Sequence, residues 1–420
     1  MNEVNRLNLP EPEKAIAYLR SVKTIRSHTG QIYALAEQDK LQYFRLRLDK
    51  MGEVTDLVIK TILENYPDLN IPYHSRWRHF DVGSVNRTAA LEAKLEDLSL
   101  LEKGRSLYEL AIVSVLLDAG AGEHWSYLEA GSENPYRRSE GLAVASYHMF
   151  CEGLFSYERR PFVVDALGLS SLTEGDLSKG LQLNDDNTLT GLKGRLHLLQ
   201  KLGRVVQERT DYFGKESQPR LGMLFDYFFN KAKSNGDSIS AATIFEGVLD
   251  AFGAIWPGRT YIGDVNLGDV WPYPGIKGKH MADNLVPFHK LTLWLVYSLI
   301  EPLEQSSIKV AGLDELCGLA EYRNGGLFFD GGVLALKDPS LIEDKFSPSH
   351  PLIVEWRALT LCLLDKLAEQ IRLKLHKSAE ELPLAKVLQG GSWAAGRKLA
   401  FAKRSHGSSP INIDSDGTVF

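Results

Sequence analysis

Three carboxylates and a scatter of arginines in this chain have the types and spacing to handle a small polar ligand. Between Leu107 and Phe155, two apolar segments flank a middle holding Asp118, Glu123, His124, Trp125, Tyr127, Glu129, Arg137, Arg138 and Glu140. The first apolar segment runs almost unbroken from Leu107 to Leu117, ends on Asp118 and continues into Ala-Gly-Ala-Gly. A carboxylate at the mouth of a buried segment, facing glycines and a Trp, sits where desolvation perturbs a pKa. Glu140 also has an ordinary role open to it, because the macrodipole favours a carboxylate in the first turn of a helix.

Three further stretches have similar chemistry. In His74-Ser-Arg-Trp-Arg-His-Phe-Asp81, followed by Asn86-Arg87, the residues Arg76, Arg78, His79 and Arg87 are candidates for a phosphate cradle, since guanidinium forks match phosphate oxygens. A solvated loop with Trp77 turned inward is the competing reading. The stretch from Trp256 to Trp271 is aromatic and glycine-rich, and it leads towards Val286-Pro-Phe-His289-Lys290. Such loops line pockets, or pack as plain Ω-loops. In Glu321-Tyr322-Arg323-Asn-Gly-Gly-Leu-Phe-Phe-Asp330, the Asn-Gly step and the Asp-Gly that follows mark turns. There Glu321 and Arg323 have a simple ion pair open to them.

These residues need a scaffold, and helical periodicity dominates the chain. Pro12 to Tyr66 reads as two or three amphipathic helices, with Ile16, Leu19 and Val22 at three-residue spacing. Glu140–Phe155 reads as a helix with Ser139 as its N-cap. Leu285–Leu303 and Ile353–Leu373 are further long helices, the latter with a stripe of Trp356, Leu359, Leu363, Leu367 and Ile371. Strand candidates are short: Phe162–Val164, Gly326–Phe329 and Asn412–Ile413. The expectation is a mainly α, multi-helical body over residues 1–420. It divides into two closely packed lobes, about 1–165 and 190–420, with a polar surface excursion at 170–190.

The bulk numbers exclude several classes. The 420 residues carry 48 basic and 54 acidic side chains, so a duplex nucleic-acid binder, which needs a basic face, is not expected. Cys151, Cys317 and Cys362 lie far apart among apolar neighbours, which predicts buried thiols rather than disulfides or a zinc site. His74 and His79 form the only close pair among eleven histidines, so no metal is expected. Asn412-Ile-Asp414-Ser-Asp416-Gly417 imitates the start of an EF-hand loop, but the glutamate such a loop needs has no place before Phe420, and no calcium is expected. Walker, Rossmann, H-E-x-x-H and G-x-S-x-G motifs do not occur. Without a signal pattern or an apolar run near about 18 residues, a cytoplasmic protein with no membrane partner is expected. A homo-oligomer is compatible with all of this.

Specific blocks now carry a resemblance. SRWRHF (75–80), VSVLLDAGAG (113–122), RSEGLAVASYHMF (138–150), VPFHKLTLWLVYSLIEPL (286–303), EYRNGG (321–326), EWRALT (355–360), GGSWAAGRK (390–398) and SDGTVF (415–420) resemble the uracil catabolism protein four family. That resemblance implies a place in a ring-opening route of pyrimidine degradation. In the route it implies, uracil becomes uridine monophosphate, a protein similar to GTP cyclohydrolase II opens the ring, and urea finally leaves. More distantly, the order of blocks is similar to the queuosine-salvage nucleoside glycosidases, which implies a fold like that of helix-hairpin-helix DNA glycosylases. The matching residues are Asp118 with Trp125, Glu140-Gly141, Glu321-Tyr322-Arg323 and Glu355-Trp356-Arg357-Ala358. Glu stands at 140 and 321 where that family has Asp, one methylene longer, which fits a smaller substrate.

Together these likenesses imply an N-glycosidase that splits ribosylurea 5-phosphate into ribose 5-phosphate and urea without a cofactor. Asp118, Glu140 and Glu321 are then the catalytic candidates. Arg76, Arg78, His79, Trp125, Arg137, Arg138, His289, Lys290, Tyr322, Arg323 and Asp330 are candidates for holding the phosphorylated ribosyl substrate, with Tyr127 as another pocket wall. Glu123, His124 and Glu129 keep a surface reading. Two alternatives stay open: an amidohydrolase acting on the ring-opened nucleotide, and a non-catalytic partner of the ring-opening enzyme.

Overall fold

In the computed structural model the described residues are 5–414, apart from Ala119, Glu123, 257–258 and 279–280. Glu123, part of the 256–271 stretch and the terminal 415–420 block therefore lie outside them. The chain is mainly α. Helix Leu100–Leu117 is the central element, capped by the Ser99 side chain, which accepts from the Glu102 amide. It is apolar nearly all round from Leu107 onward, and such a helix can only be buried. Its one acidic core residue, Glu109, is met by Arg220 at 3.0 Å. Helices Met223–Lys233, Arg138–Cys151 and Lys290–Gln305 pack around it.

The long helix Pro351–Leu375 carries the expected stripe inward, with Trp356, Leu359, Leu363, Leu367 and Ile371 all buried. It packs against Val22–Glu37 on one flank and Tyr322–Asp330 on another. One apolar core runs from Val22 to Ile411, and a small second cluster joins Leu19 to Ile262, Val270 and Leu285. Among the described residues, strands are two or three residues long and pair only in small local sheets. Val270–Pro272 and Leu285–Pro287 form an antiparallel pair that delivers the chain into helix Lys290–Gln305. No helix among the described residues is long and apolar enough to cross a membrane.

Several local expectations change. Gly326–Phe329 is not a strand but lies within helix Tyr322–Asp330, whose cap is Glu321. The glycines there serve packing: a Cβ on Gly325 would stand 2.8 Å from the Trp356 ring. Phe162–Val164 is irregular, with the Val164 amide satisfied by Glu109 at 2.9 Å instead of a neighbouring strand. Asn412–Ile413 is a strand, parallel to Lys345–Phe346. The polar 170–190 stretch contains helix Glu174–Gly180, held by a Thr173–Asp176 capping box, and it buries Leu177 and Leu181.

The start of helix Lys290–Gln305 is fixed by a buried carboxylate. Asp269 receives both arms of the Arg357 fork at 2.7 Å, the Lys290 amide at 3.0 Å and the Trp271 indole at 2.6 Å. Burial alone would raise this carboxyl, but Arg357 and the N–H donors hold it well below the usual range. The block around Arg357 and the Trp256–Trp271 stretch thus set where Lys290 stands. Glu355, beside them, accepts the Gln42 and Tyr43 amides and the Tyr273 hydroxyl.

His289, the residue before this helix, is buried and bonded to the Leu19 carbonyl at 2.9 Å. Burial lowers its pKa from 6.5 to about 4. Between those values the unfolded chain binds a proton that the folded chain refuses, so the stability due to the neutral ring is present above pH 6.5 and lost as pH falls towards 4. The gap corresponds to about 3 kcal/mol. Chemical denaturation from pH 7 to pH 4 should show His289→Gln losing less stability than the wild type by about that amount; parallel curves would contradict it.

Candidate active site

The central feature is a buried arginine. Arg76 precedes the short helix Trp77–Phe80 and is wholly shielded from solvent. Its Nε donates to Ser114 Oγ on the central helix at 2.7 Å, and its backbone amide donates to Ser298 Oγ at 3.0 Å. Nη1 donates to Asp118 Oδ2 at 2.7 Å and reaches Ser139 Oγ at 3.0 Å and His79 Nδ1 at 3.1 Å. Burial lowers its pKa while Asp118 and Glu140 counter this, and a guanidinium stays charged regardless. Ser139 was expected to cap its helix, but the helix begins at Arg138 and the Ser139 hydroxyl donates to Asp118 Oδ2 at 2.6 Å instead. A buried cation has a stronger claim on the 118–139 pair than a solvated helix end has.

Asp118 terminates helix Leu100–Leu117, and Arg195 secures that terminus by donating to the Leu117 carbonyl at 2.9 Å and the Gly120 carbonyl at 3.2 Å. Both hydrogen bonds to the Asp118 carboxylate fall on Oδ2, which leaves Oδ1 without a donor among the described residues. Asp118 lines a cavity of about 300 Å³. That volume is at the small end for ligand sites and suits a compact metabolite better than a dinucleotide.

Glu140 and Glu321 line the same cavity, so the three carboxylates of the sequence reading converge although Asp118 and Glu321 lie 203 positions apart. Glu140 pairs with Arg397 at 3.1 Å. Glu321 caps its own helix, taking the Arg323 amide at 2.8 Å and the Asn324 amide at 2.6 Å, rather than pairing with the Arg323 guanidinium. Burial raises its carboxyl, with those amides and Lys290 working against the rise. Lys290 also lines the cavity, and its ammonium has no ion-pair partner within 4.0 Å among the described residues. Burial lowers its pKa, while Glu321 and then Asp118 oppose this, which places the ammonium within electrostatic reach of both carboxylates.

Of the other expected residues, His79, Arg138, Tyr322 and Arg323 line the cavity. Arg138 adopts a left-handed backbone with φ 53°, strain of the kind that gathers at functional sites, and donates to the His406 carbonyl at 3.2 Å. Arg323 donates to the Gly407 carbonyl at 3.1 Å and lies over the Trp393 ring.

The remaining candidates are elsewhere. Trp125 is a core residue whose indole donates to the Leu181 carbonyl at 3.0 Å, and a Cβ on Gly141 would meet both the Tyr136 carbonyl at 2.8 Å and the Trp125 ring at 2.9 Å. Tyr127 is buried against His148. Arg78 pairs with Glu301 at 2.7 Å, and Asp330 takes both arms of Arg404. Arg137 is exposed, and His289 supports the fold as described above. Arg87 does not join a phosphate cradle, because it is buried in an ion pair with Glu129. Glu129 is therefore not a surface residue, whereas His124 is exposed.

The sequence reading missed His74, Trp294, Trp393 and Arg397, all of which line the cavity. Trp294 looked like one more apolar residue of a long helix. A π-helical turn, Leu388–Ser392, precedes Trp393, and such turns frequently mark functional sites. The Gly390-Gly391 pair was the available signal: a Cβ on Gly391 would stand 2.6 Å from the Val58 side chain.

Among the described residues no group of three or more His, Cys, Asp or Glu is arranged to hold a metal ion. Two arginines that spacing alone leaves unranked should differ sharply. Arg76→Met should cost about 3–5 kcal/mol in chemical denaturation, because it leaves Asp118 partly buried without its cation. Arg137→Met should change stability by no more than about 0.5 kcal/mol.

Comparison with known proteins places this chain among relatives. The family described as "Protein of unknown function (DUF1688)" matches residues 18–420. The chain is 38% identical to "Uracil catabolism protein 4" of Lachancea kluyveri, over 97% of this chain and 99% of that protein. It is 39% identical to "Protein urg3" of Schizosaccharomyces pombe, again over 97% and 99%. The family reading drawn from the sequence blocks holds.

Proposed function

The chain belongs to the DUF1688 family, and from that premise we propose that it acts in uracil catabolism as an N-glycosidase. Its substrate is ribosylurea 5-phosphate, which it hydrolyses to ribose 5-phosphate and urea. The relative named for uracil catabolism supports the pathway, and the distant likeness to nucleoside glycosidases supports the reaction class. One observation carries the reaction: Asp118 is clamped through a single oxygen at the wall of a cavity shared with a second part-buried carboxyl, Glu321, and with Lys290, which has no ion-pair partner among the described residues.

Breaking the C1′–N bond builds positive charge on the sugar and negative charge on the departing nitrogen. Asp118, oriented by Arg76 and Ser139, stabilises the sugar cation and takes a proton from the attacking water through Oδ1. A neutral ureido group leaves poorly unless its nitrogen is protonated. Glu321 suits that task, because burial makes its carboxyl hold a proton at higher pH than an exposed one. Lys290 shares charge with both carboxylates, so the phosphate belongs on the guanidinium side, at Arg138, Arg323 and Arg397. A phosphate dianion beside the Asp118 carboxylate would be repelled. Tyr322, Trp294 and Trp393 wall the cavity with rings and limit its water.

Urea release from ribosylurea 5-phosphate is the test. The wild-type protein should liberate equimolar urea and ribose 5-phosphate, and Asp118→Asn and Glu321→Gln should each slow this by roughly 10²–10⁴. Thermal unfolding should show both variants folded. A folded wild-type protein that leaves the substrate intact would sink the reading.

A further inference from the structure

The neighbours of two histidines at this cavity call for opposite tautomers. Arg76 Nη1 lies 3.1 Å from His79 Nδ1, and a guanidinium only donates. The Ser139 hydroxyl, 3.2 Å away, already spends its proton on Asp118. A proton on His79 Nδ1 would face a cation, so Nδ1 is the acceptor and the neutral ring carries its hydrogen on Nε2. For His74 the neighbour has the opposite character: Nδ1 lies 3.0 Å from Gln389 Oε1, while the Gln389 amide nitrogen donates to the Tyr66 hydroxyl at 3.2 Å. His74 therefore donates from Nδ1 and keeps a lone pair on Nε2.

Neither Nε2 has a partner among the described residues, and both rings line the cavity. Each ring is tilted against the same two indoles. His74 and His79 lie 4.9 and 5.6 Å from Trp294, and 6.4 and 6.5 Å from Trp393. Burial, the largest cause in each case, lowers both from 6.5 to about 4, so both rings are neutral at pH 7.

We propose that His79 Nε2–H and His74 Nε2 form a donor–acceptor pair that reads the carbonyl oxygen and the amino group of a planar ureido or amide moiety held beside Trp294 and Trp393. The pair rests on the cavity assigned above and specifies its leaving-group end. A carboxylate or carbamate in the same place offers an acceptor to an acceptor at His74, and the site rejects it on that account.

The tautomers can be measured without substrate. In protein carrying 15N-labelled histidine at pH 7, with His74→Gln and His79→Gln used to assign signals, His79 should be protonated on Nε2 and His74 on Nδ1. A charged ring or the reverse tautomer at either position overturns the pair. Calorimetry on Asp118→Asn protein supplies the ligand arm. Adding His79→Leu should weaken ribosylurea 5-phosphate roughly tenfold while leaving ribose 5-phosphate unchanged, and His79→Gln should restore most of the loss. Equal weakening of both ligands overturns the ureido contact, as does absence of affinity for ribosylurea 5-phosphate when the tautomers are as expected. A protein that binds it through these contacts but releases no urea overturns the hydrolysis alone.

Discussion

Burying the Arg76 guanidinium is the constraint on which the rest of the site depends. A desolvated cation needs its charge and most of its hydrogen bonds met; Nε and Nη1 are bonded, Nη2 has no partner among the described residues, and the groups that hold Arg76 come from four places in the chain. For the guanidinium, Ser114 lies on the central helix, Asp118 at its end and Ser139 on the following helix, while Ser298 on helix Lys290–Gln305 takes the Arg76 backbone amide. Holding Arg76 in place therefore fixes how three helices meet. The same bonds aim Asp118, orient Ser139 away from its capping role and set the tautomer of His79. The geometry of the cavity and the stability of the fold are consequently coupled through one side chain.

The second half of the site is built on a helix end. Glu321 starts helix Tyr322–Asp330 by accepting two of its free amides, so the carboxylate is positioned by backbone rather than by other side chains. That helix packs against Trp393–Lys403, where a Cβ on Gly396 would stand 2.5 Å from the Arg323 carbonyl. Close helix approach brings Trp393 and Arg397 to the cavity beside Glu321. Asp269 and Arg357, outside the cavity, do the corresponding work for Lys290.

Much of this was legible in the sequence, and the rest was hidden for physical reasons. Asp118, Glu140 and Glu321 could be found because each stands where an apolar or glycine-rich pattern breaks on a carboxylate. The long helices were plain from their stripes. Arg76 and Arg78 could not be told apart, since spacing does not say which arginine meets Asp118 and which meets Glu301. Trp125 looked like a pocket wall because aromatic residues near a carboxylate fit core and site equally well. Gly326–Phe329 read as a strand because Gly-Gly-Leu-Phe-Phe is a poor helix former, and the Trp356 ring and Thr360 hydroxyl against Gly325 explain why a helix needs glycine there. His74 and Trp294 acquire meaning only when helices distant in sequence meet.

The most direct measurement is a crystal structure of Asp118→Asn protein soaked with ribosylurea 5-phosphate. The account predicts the ligand in this cavity, with C1′ beside residue 118, the phosphate on Arg138, Arg323 and Arg397, and the ureido group between His74 and His79. A ligand bound elsewhere, or one seated here with its phosphate against Glu321 and its ribose away from residue 118, would contradict it.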